Sequence, residues 1–448
     1  MLLNKQETIW QAWDFVNQHI ARVIAQDAHL RVSFPEFTHK VKHKGSQDTP
    51  LEELLPHITT SLAQQKSITV YAHMEYCQHR CLYCHYPVID GATPAFVGQS
   101  IDLLIQEIKS ARKTLSFSQL PVSSLYIGGG TPTEASGEQL ARLLGTLQEN
   151  LDLSKVPEIS IEGTPETYTE EKIRSLCDLG INRVSVGIQT LNPRLLREIN
   201  RRHTPEQALQ AITNLLQAGF TQVNADLIYG FPGQLISDFW DDLQAAIARN
   251  PTSITLYRLR LERNDELNTV LRRWFEDDPS PFPEPITLYT MQYVARQLLE
   301  AHGYHEGPSG WFSRLPQPIA VYQDRWVEQK TLVAFGWHVY AYARTYECHN
   351  HKKIGDYRAA VRAGILPMER GSIYTLEEQM ERYIFFQFKS LFKIRFEGFR
   401  SVFGISLLDQ PEWVARFSHL VDFGLATLTN EEVALTPAGM VLVEEIIR

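Results

Sequence analysis

Apolar residues along this chain recur in an alternating order of strand-like and helix-like segments. The run from Ser67 to His73 is rich in β-branched and aromatic residues, which is typical of a strand. From Val97 to Ser116 the apolar residues recur at helical spacing, which predicts an amphipathic helix. Further strands of the same kind are predicted at Ser123–Ile127, Glu158–Glu162, Arg183–Ile188, Gln222–Tyr229 and Ser253–Arg260.

A helical pattern follows each of these strands, so the strand–helix unit occurs six times. Strands rich in Val and Ile indicate a parallel sheet covered by helices. Six units fit a partial (β/α)6 barrel better than a complete eight-fold barrel, and in either case the chemistry belongs at the C-terminal ends of the strands. The later helices are predicted at Gly137–Asn150, at Glu170–Leu179, in a region that reaches Ala218, at Ile236–Asn250 and at Ile286–His302.

The two flanks of this repeat follow other patterns. Helical spacing over Thr8–Ile24 predicts a helical lead-in, and a basic loop, His39–Gly45, follows it. Beyond about residue 304 the chain has a strand-like run at Thr331–Ala343, a helix near Leu376–Phe392, and a finish that resembles a small winged-helix unit. The predicted class is therefore α/β in three parts, namely a helical N-terminal segment (1–65), the barrel (66–303) and a C-terminal α+β domain (304–448).

Composition and charge argue against several classes of protein. The 448 residues carry 43 basic and 52 acidic side chains, a net charge of -9, which disfavours a surface that attracts nucleic acid or anionic membranes. No apolar run approaches the ~20 residues that span a bilayer, and the start MLLNKQETIWQAW lacks the apolar region that directs export. Five cysteines, three of them crowded together, favour a metal site over a disulfide scaffold. We therefore expect a cytoplasmic protein without nucleic acid or membrane as a partner.

The strongest chemical signal is a group of three cysteines directly after the first predicted strand. Cys77, Cys81 and Cys84 have C-x3-C-x2-C spacing. A structural zinc site completed by His79 or His85 would use the same residues, but no second pair of Cys or His ligands stands nearby to close it. Three thiolates on one loop suit a [4Fe-4S] cluster that leaves one iron open, so the cluster is the favoured interpretation.

Glycines and polar residues at the ends of the next strands indicate a ligand pocket. The segment IGGGTPT follows the second predicted strand, and its glycines free the backbone to approach a ligand closely. A single polar residue at a strand end is as often a satisfied hydrogen-bonding group as a ligand-binding one. Several on successive strands favour ligand binding, and these are Glu162, Gln189, Arg201 and Asp226.

With the aromatic residue Tyr83 before the third cysteine, the loop resembles the signature of the radical S-adenosylmethionine (SAM) enzymes. The resemblance implies a partial (β/α)6 barrel and a cluster whose open iron binds the amine and carboxylate of SAM. It also implies an electron donor, such as flavodoxin or ferredoxin. Reduction then cleaves SAM to a 5′-deoxyadenosyl radical, which abstracts hydrogen from an organic substrate.

Taken together, the motifs between about Ile68 and Arg260 look like those of the oxygen-independent coproporphyrinogen oxidase family, which binds two SAM molecules. Ribose hydroxyls bind carboxylates and amides, and a methionyl carboxylate binds Arg, so these residue types suit the ligand. The resemblance implies that the first SAM, which is cleaved, is held by Tyr71, Gly129 and Glu162. The place of the Gly128–Gly130 loop at a strand end beside the cysteine loop predicts that this loop binds the same SAM. The resemblance also implies that the second SAM is served by Tyr83, Gly130, Thr131, Gln189, Arg201 and Asp226.

Two departures from that family bear on the reaction. Tyr86 stands where the coproporphyrinogen enzymes carry another cysteine, and Arg31–Pro35 matches their N-terminal motif only loosely. These departures favour a methylase or cyclopropanase that takes a methyl or methylene group from the second SAM. The substrate would be a small organic molecule, such as a tetrapyrrole or a natural-product precursor. Oxidative decarboxylation of coproporphyrinogen III stays an alternative. A haem chaperone on the same fold is the non-enzyme alternative, although a complete set of residues for a second SAM favours the enzyme.

Two arginines near the end of the sixth predicted strand have no clear counterpart in that family. Arg258 and Arg260 alternate onto one face of the strand. If that face points outwards, they would pair with Glu262 or Asp265 in exposed ion pairs. If it points inwards, the arginines need an anion, either the second SAM or an acidic substrate, and Arg260 is then expected to be catalytic.

The remaining cysteines are weaker signals. Cys177 falls within a helical pattern, and we predict a buried small side chain there. Cys348 is followed by His349 and His351, a spacing that is only suggestive of a metal site.

Overall fold

Six parallel strands form the centre of the fold. The structure is a computed structural model that describes residues 3–25, 48–115, 120–261, 269–315, 322 and 330–447. In chain order the described strands are β1 (Ile68–Met74), β2 (Tyr76–Cys77), β3 (Ile89–Asp90), β4 (Val122–Gly129), β5 (Ile159–Gly163), β6 (Arg183–Gln189), β7 (Gln222–Tyr229), β8 (Ser253–Arg258), β9 (His305–Glu306), β10 (Trp311–Ser313), β11 (Thr331–Phe335), β12 (Tyr340–Tyr342), β13 (Tyr346–Asn350), β14 (Met368–Ile373), β15 (Lys393–Arg395), β16 (Ala426–Leu428) and β17 (Glu432–Leu435). Strands β1, β4, β5, β6, β7 and β8 lie side by side in that order and pair in parallel. The partial (β/α)6 barrel that the sequence predicts is confirmed.

Helices connect the parallel strands and cover the outside of the barrel. Helix Gly137–Asn150 is typical, because it begins at a capping box between Ser136 and Gln139 and turns a row of leucines towards the sheet. No helix in the described part of the chain has the length and apolar character needed to cross a membrane. The helices are Lys5–Val16, Arg22–Ala25, Leu51–Ala63, Pro94–Leu115, Gly137–Asn150, Glu170–Asp178, Pro193–Glu198, Pro205–Gln217, Ile236–Ile247, Val270–Asp277, Pro285–Ala301, Ile354–Arg362, Leu376–Leu391, Phe396–Phe403, Pro411–Asp422, Pro437–Val441 and Val443–Ile446.

The barrel sheet continues beyond its parallel strands on both sides. On one side β10 pairs antiparallel with β8, and β9 pairs with β10. On the other side β11 pairs in parallel with β1, so that Thr331 lies opposite Ile68, and β12, β13 and β14 follow in antiparallel order. Strands β9 to β14, all beyond residue 304, therefore extend the same sheet. The division of the chain into three domains stays a prediction.

The strand-like run Thr331–Ala343 is two strands with a turn between them. β11 ends at Phe335 and β12 begins at Tyr340. In the turn, Gly336 and His338 have φ values of 121° and 56°, a left-handed backbone that cannot continue a strand. A Cβ atom on Gly336 would lie 2.8 Å from the Cβ of His73, so a glycine is needed for this turn to approach β1 so closely.

The N-terminal helix packs against the outside of the barrel. Phe15 stacks on Tyr293 of helix Pro285–Ala301, with ring centroids 4.1 Å apart. A π-helical turn, Asn17–Ala21, carries the helix on to Ala25, which agrees with the pattern over residues 8–24. The basic loop at residues 39–45 and the segment at residues 31–35 lie outside the described residues.

An aromatic core holds the C-terminal part together. Helix Leu376–Leu391 buries Phe385, Phe386 and Phe388 in this core. Strands β15, β17 and β16 form a small antiparallel sheet beside the last helices, as expected for a winged-helix-like finish. The helical end of the described chain is interrupted at Leu442, which separates helix Pro437–Val441 from helix Val443–Ile446.

Two expectations for the outlying cysteines are wrong or unsupported. Cys177 is exposed, because helix Glu170–Asp178 turns Ile173 and Leu176 towards the core and the next position faces solvent. Cys348 is buried in β13. Nowhere among the described residues are three His, Cys, Asp or Glu side chains grouped to bind a metal ion, so the metal site suggested at residues 348–351 is not supported.

Candidate functional site

The three clustered cysteines line one cavity near the C-terminal end of β1. Cys77 lies on β2 and is buried, whereas Cys81 and Cys84 follow on the loop and are partly exposed. The loop is anchored to the rest of the barrel, because the side-chain amide of Asn200 donates to the carbonyl oxygen of Arg80 at 2.8 Å. Its sulfur atoms are therefore presented to the cavity by a fixed backbone.

Two neighbouring side chains donate hydrogen bonds to the cysteine sulfurs. Thr131 Oγ1 donates to Cys77 Sγ, and Arg201 Nη1 donates to Cys81 Sγ, each at 3.4 Å. Burial raises the pKa of the Cys77 thiol to about 12 and that of Cys84 to about 11, so metal binding must displace their protons. Donors aimed at sulfur stabilise the thiolates that an iron–sulfur cluster requires.

The arrangement of these cysteines fits a cluster better than a single zinc ion. Zinc would require the three sulfurs to converge on one point, at ~2.3 Å from each. In the part of the chain that the structure describes, no three ligand side chains converge in this way, yet all three cysteines line the same cavity. A four-iron cube binds each thiolate at a different corner, so its cysteines stand farther apart. The residues therefore fit a [4Fe-4S] cluster.

The glycines at the end of β4 allow this strand to approach the cysteine loop. The N–H of Gly130 donates to the carbonyl oxygen of Met74 at 2.7 Å, and a Cβ atom on Gly130 would lie 2.0 Å from the carbonyl oxygen of Tyr76. Gly129 has a φ of 108°, which favours glycine. Close contact between two backbone segments is thus one reason for these glycines. Both also line the cavity, where the sequence predicts close approach to a ligand.

Glu162 lies beside these glycines, at the C-terminal end of β5. Its carboxylate accepts hydrogen bonds from the Tyr126 hydroxyl at 2.6 Å and from the N–H of Gly129 at 3.0 Å. A Cβ atom on Gly128 would lie 2.9 Å from the carboxylate, so this glycine makes room for Glu162 without lining the cavity itself. Burial raises the pKa of Glu162 to about 7, against the opposing effect of the Tyr126 hydrogen bond.

Polar residues from β6, from β7 and from the segment after helix Pro193–Glu198 line the same cavity. Asp226 accepts a hydrogen bond from Ser185 Oγ at 2.6 Å. Gln189 has a φ of 63° at the end of β6. Arg201 donates to the carbonyl oxygen of Gly187, while its Nε is buried and has no hydrogen-bond partner. A buried guanidinium donor left unpaired in this way is suited to a ligand carboxylate.

The structure brings almost all predicted site residues together. We call the cavity next to the cysteines, of about 400 Å³, the cluster cavity. Tyr71 lies in the neighbouring cavity and Gly128 in neither, and the role of each residue stays a prediction. The predicted residues that line the cluster cavity are Cys77, Cys81, Tyr83, Cys84, Gly129, Gly130, Thr131, Glu162, Gln189, Arg201, Asp226 and Arg260.

A second cavity of about 380 Å³ adjoins the cluster cavity, and Gly129, Glu162 and Arg260 line both. We call it the aromatic cavity, because rings dominate its walls. The sequence predicts a ligand-binding role for Tyr71 and for none of the other rings, of which only Tyr340 and His338 lie in the strand-like run Thr331–Ala343. The aromatic side chains that line the cavity are Tyr71, Tyr86, Tyr126, Tyr229, Tyr257, Trp311, Phe312, Tyr322 and Tyr340, with His73, His85 and His338 beside them.

Cationic side chains also line the aromatic cavity, and most of them are paired. Arg258 and Arg260 both reach the cavities, so the face that they share points inwards. Arg260 is exposed and forms no ion pair with a described residue, and the partners considered at positions 262 and 265 lie outside the described residues. The other cations pair as Arg258–Glu445 at 2.7 Å, Arg296–Glu306 at 2.8 Å and Lys389–Glu444 at 3.5 Å.

Comparison with known proteins finds relatives over the barrel. Residues 71–246 match the model of the radical SAM superfamily. The heme chaperone HemW of Lactococcus lactis is 36% identical over 198 residues, which cover 44% of this chain and 50% of that protein. The heme chaperone HemW of Escherichia coli is 28% identical over 243 residues, 53% of this chain and 61% of that protein. The chain thus spans about half the length of the curated relatives it matches.

A solved structure matches over most of the chain. It is that of coproporphyrinogen III oxidase (HemN) from Escherichia coli, a radical SAM enzyme. The TM-score is 0.78 at 24% identity, over 88% of this chain and 92% of that one. At this identity the likeness concerns the fold alone.

Proposed function

Since the chain belongs to the radical SAM superfamily and has the fold of the coproporphyrinogen oxidase-like family, we propose that it binds a tetrapyrrole beside its SAM site and acts as a haem chaperone. The superfamily implies a [4Fe-4S] cluster and SAM. The observation that carries the proposal is the aromatic cavity, which adjoins the cluster cavity and combines ring-lined walls with cations. A flat conjugated ring with carboxylates needs both kinds of group.

The names of the curated relatives support the haem chaperone alternative better than methyl or methylene transfer, which the sequence favours. That expectation rested partly on Tyr86 in place of a cysteine. Tyr86 lines the aromatic cavity and stacks on His85, with ring centroids 4.7 Å apart. A ring at this position has a use in binding a flat ligand, so the replacement does not itself require methyl transfer.

We assign SAM to the cluster cavity. Glu162 and Asp226 would accept hydrogen bonds from ribose hydroxyls, and Arg201 would bind the methionyl carboxylate. SAM bound at such a cluster supplies a 5′-deoxyadenosyl radical when a donor of the flavodoxin or ferredoxin kind provides an electron. The family resemblance assigns some site residues to a first SAM and others to a second. All of them except Tyr71 line this one cavity. A second SAM would therefore extend into the aromatic cavity, and we propose a single SAM when a tetrapyrrole is bound.

Turnover of the tetrapyrrole is the second candidate function, with oxidative decarboxylation of coproporphyrinogen III as one form of it. The observation that favours it is that Glu162 and Arg260 line both cavities. A ligand in the aromatic cavity would therefore lie next to SAM, as hydrogen abstraction requires.

One anaerobic experiment separates these functions. Reconstituted protein is titrated with haem and with protoporphyrin IX by absorbance. It is then incubated with SAM, a reductant and either haem or coproporphyrinogen III. Mass spectrometry measures 5′-deoxyadenosine, S-adenosylhomocysteine and the tetrapyrrole. Stoichiometric haem binding with an unchanged haem mass supports the chaperone, whereas a changed tetrapyrrole mass supports turnover. Formation of S-adenosylhomocysteine would support methyl transfer instead.

A matched pair of variants locates the binding site. Tyr340→Leu removes a ring that lines the aromatic cavity and not the cluster cavity. It should weaken tetrapyrrole binding, because each lost stacking contact costs about 0.5–1.5 kcal/mol beyond its buried area. Tyr293→Leu removes a ring that stacks on Phe15 outside the barrel and should leave binding unchanged. The proposal is wrong if the wild type binds neither haem nor porphyrin.

A further inference from the structure

Two ion pairs of the aromatic cavity are formed by adjacent glutamates of helix Val443–Ile446. Glu445 Oε1 lies 2.7 Å from Arg258 Nη1, and Glu444 Oε1 lies 3.5 Å from Lys389 Nζ. All four side chains line the aromatic cavity. The cations come from β8 and from helix Leu376–Leu391, so two separate parts of the fold direct positive charge to this place. We call these four residues the carboxylate rim.

The rim differs from the third ion pair of the same cavity. Glu306 is only 3% exposed, pairs with Arg296 and also accepts a hydrogen bond from the N–H of Gly310 at 2.8 Å. Glu444, in contrast, is 32% exposed at a longer distance from its cation. Glu445 is 23% exposed. The carboxylates of the rim are therefore more accessible from the cavity than that of Glu306 is.

Resting on the proposed binding of a tetrapyrrole, we propose that Arg258 and Lys389 form the subsite for its carboxylates, and that the carboxylates of Glu444 and Glu445 give way to them. The exchange replaces one carboxylate by another on each cation, so no cation is left buried and unpaired. Because Arg258 and Lys389 are already largely removed from water within the protein, the ligand does not add the cost of burying them.

The backbone at this place suits such an exchange. Helix Val443–Ile446 is a single short turn, and Leu442 separates it from helix Pro437–Val441. The side chains of Glu444 and Glu445 can turn away by rotation about their own χ angles. Any backbone shift that accompanies this rotation involves only one short helical turn. A neutral ring of the same size offers nothing to replace the glutamates on their cations. The rim consequently selects ligands that carry carboxylates on one edge of the ring.

The test compares protoporphyrin IX with its dimethyl ester, which has the same ring and no free carboxylate. Dissociation constants are measured with the full chain by fluorescence. Wild type should bind the diacid more tightly than the ester. The double variant Glu444→Gln with Glu445→Gln should bind the diacid about ten-fold more tightly than wild type and leave the ester unchanged, because its amides compete less well for the cations. Glu412→Gln, which alters an exposed ion pair to Arg416, is the control and should match wild type.

A second double variant tests the cations themselves. Arg258→Gln with Lys389→Gln should weaken diacid binding by about ten- to a hundred-fold, down to the affinity for the ester. Should that variant fail to fold, the glutamate variant decides the matter. If wild type binds neither porphyrin nor ester, the proposed function itself fails. If wild type binds both equally and the glutamate variant changes neither constant, tetrapyrrole binding stands and the exchange at the rim is wrong.

Discussion

Replacing Glu162 by Gln should weaken SAM binding and leave the cluster in place. The carboxylate accepts from the Tyr126 hydroxyl and the N–H of Gly129, and it also lines the cluster cavity, where a ribose hydroxyl would donate to it. An amide offers one acceptor oxygen and brings an NH2 group that faces donors. A hydrogen bond to a charged group contributes about 1.5–3 kcal/mol. The dissociation constant of SAM should therefore rise roughly ten- to more than a hundred-fold.

The pH dependence makes this prediction sharper. The pKa of Glu162 is raised by burial to about 7, so the carboxylate is the major form above pH 7 and the neutral acid below it. Wild-type affinity for SAM should fall as the pH drops from 8 to 6, and the Gln variant should lack this dependence. The folded protein binds this proton more tightly than the unfolded chain does, so protonation of Glu162 adds to the free energy of unfolding at low pH. This contribution is lost as the pH rises through 7. The Gln variant should therefore gain thermal stability relative to wild type at pH 8 and less so at pH 5.

Equilibrium dialysis with labelled SAM at pH 6, 7 and 8 provides the measurement, on reconstituted protein of known iron content. Glu138→Gln, at an exposed position of helix Gly137–Asn150, is the matched control and should bind SAM as wild type does. An unchanged dissociation constant for the Glu162 variant, or a wild-type affinity that increases as the pH falls, would refute the reasoning.

Three further predictions concern the cluster and the two cavities. Alanine in place of Cys77, Cys81 or Cys84 should abolish the charge-transfer absorbance of an oxygen-labile cluster with about four irons, and stoichiometric zinc without iron in the wild type would contradict the assignment. Gly130→Ala places a Cβ atom against the carbonyl oxygen of Tyr76, so the free energy of unfolding measured in urea should fall by about 1–3 kcal/mol. The control is Gly145→Ala, whose Cβ atom meets nothing within 4 Å and which should cause no such fall. Wild-type stability of the Gly130 variant would count against that contact. Arg260→Met should keep iron content and SAM affinity, yet weaken binding of protoporphyrin IX about ten-fold or more and abolish any product. Unchanged porphyrin affinity and turnover would remove Arg260 from the site.

The elements of the barrel could be predicted because their signals lie within short windows. Helix Gly137–Asn150 has the expected bounds, since Ser136 and Gln139 cap it locally, and β7 has the expected bounds as well. The pairing of strands beyond residue 304 with the barrel sheet could not be predicted, because periodicity shows which face of a strand is buried and not which strand is its neighbour. Helix Val270–Asp277 was not predicted, and it lies between the sixth strand and the helix expected at Ile286–His302. The exposed Cys177 shows how a shift of one residue in helical phase reverses burial.

The two cavities also differ in how far the sequence could predict them. The cluster cavity could be predicted because its residues follow consecutive parallel strands, whose C-terminal ends meet at one edge of the sheet. The aromatic cavity could not, because Tyr71, Arg258, Lys389 and Glu445 come from distant parts of the sequence and are brought together by tertiary packing. Arginines on one strand face could be noticed in the sequence, but their glutamate partners could not.

The parallel pairing of β11 with β1 also affects how the newly made chain matures. β1 leads almost directly into the cysteine loop, yet the strand that covers its outer edge leaves the ribosome only after the whole barrel has been translated. Until then β1 presents unpaired backbone groups, and such edges promote aggregation of nascent chains. We expect ribosome-bound chains that stop short of Phe335 to depend on holding factors, and we expect iron loading to follow translation instead of accompanying it.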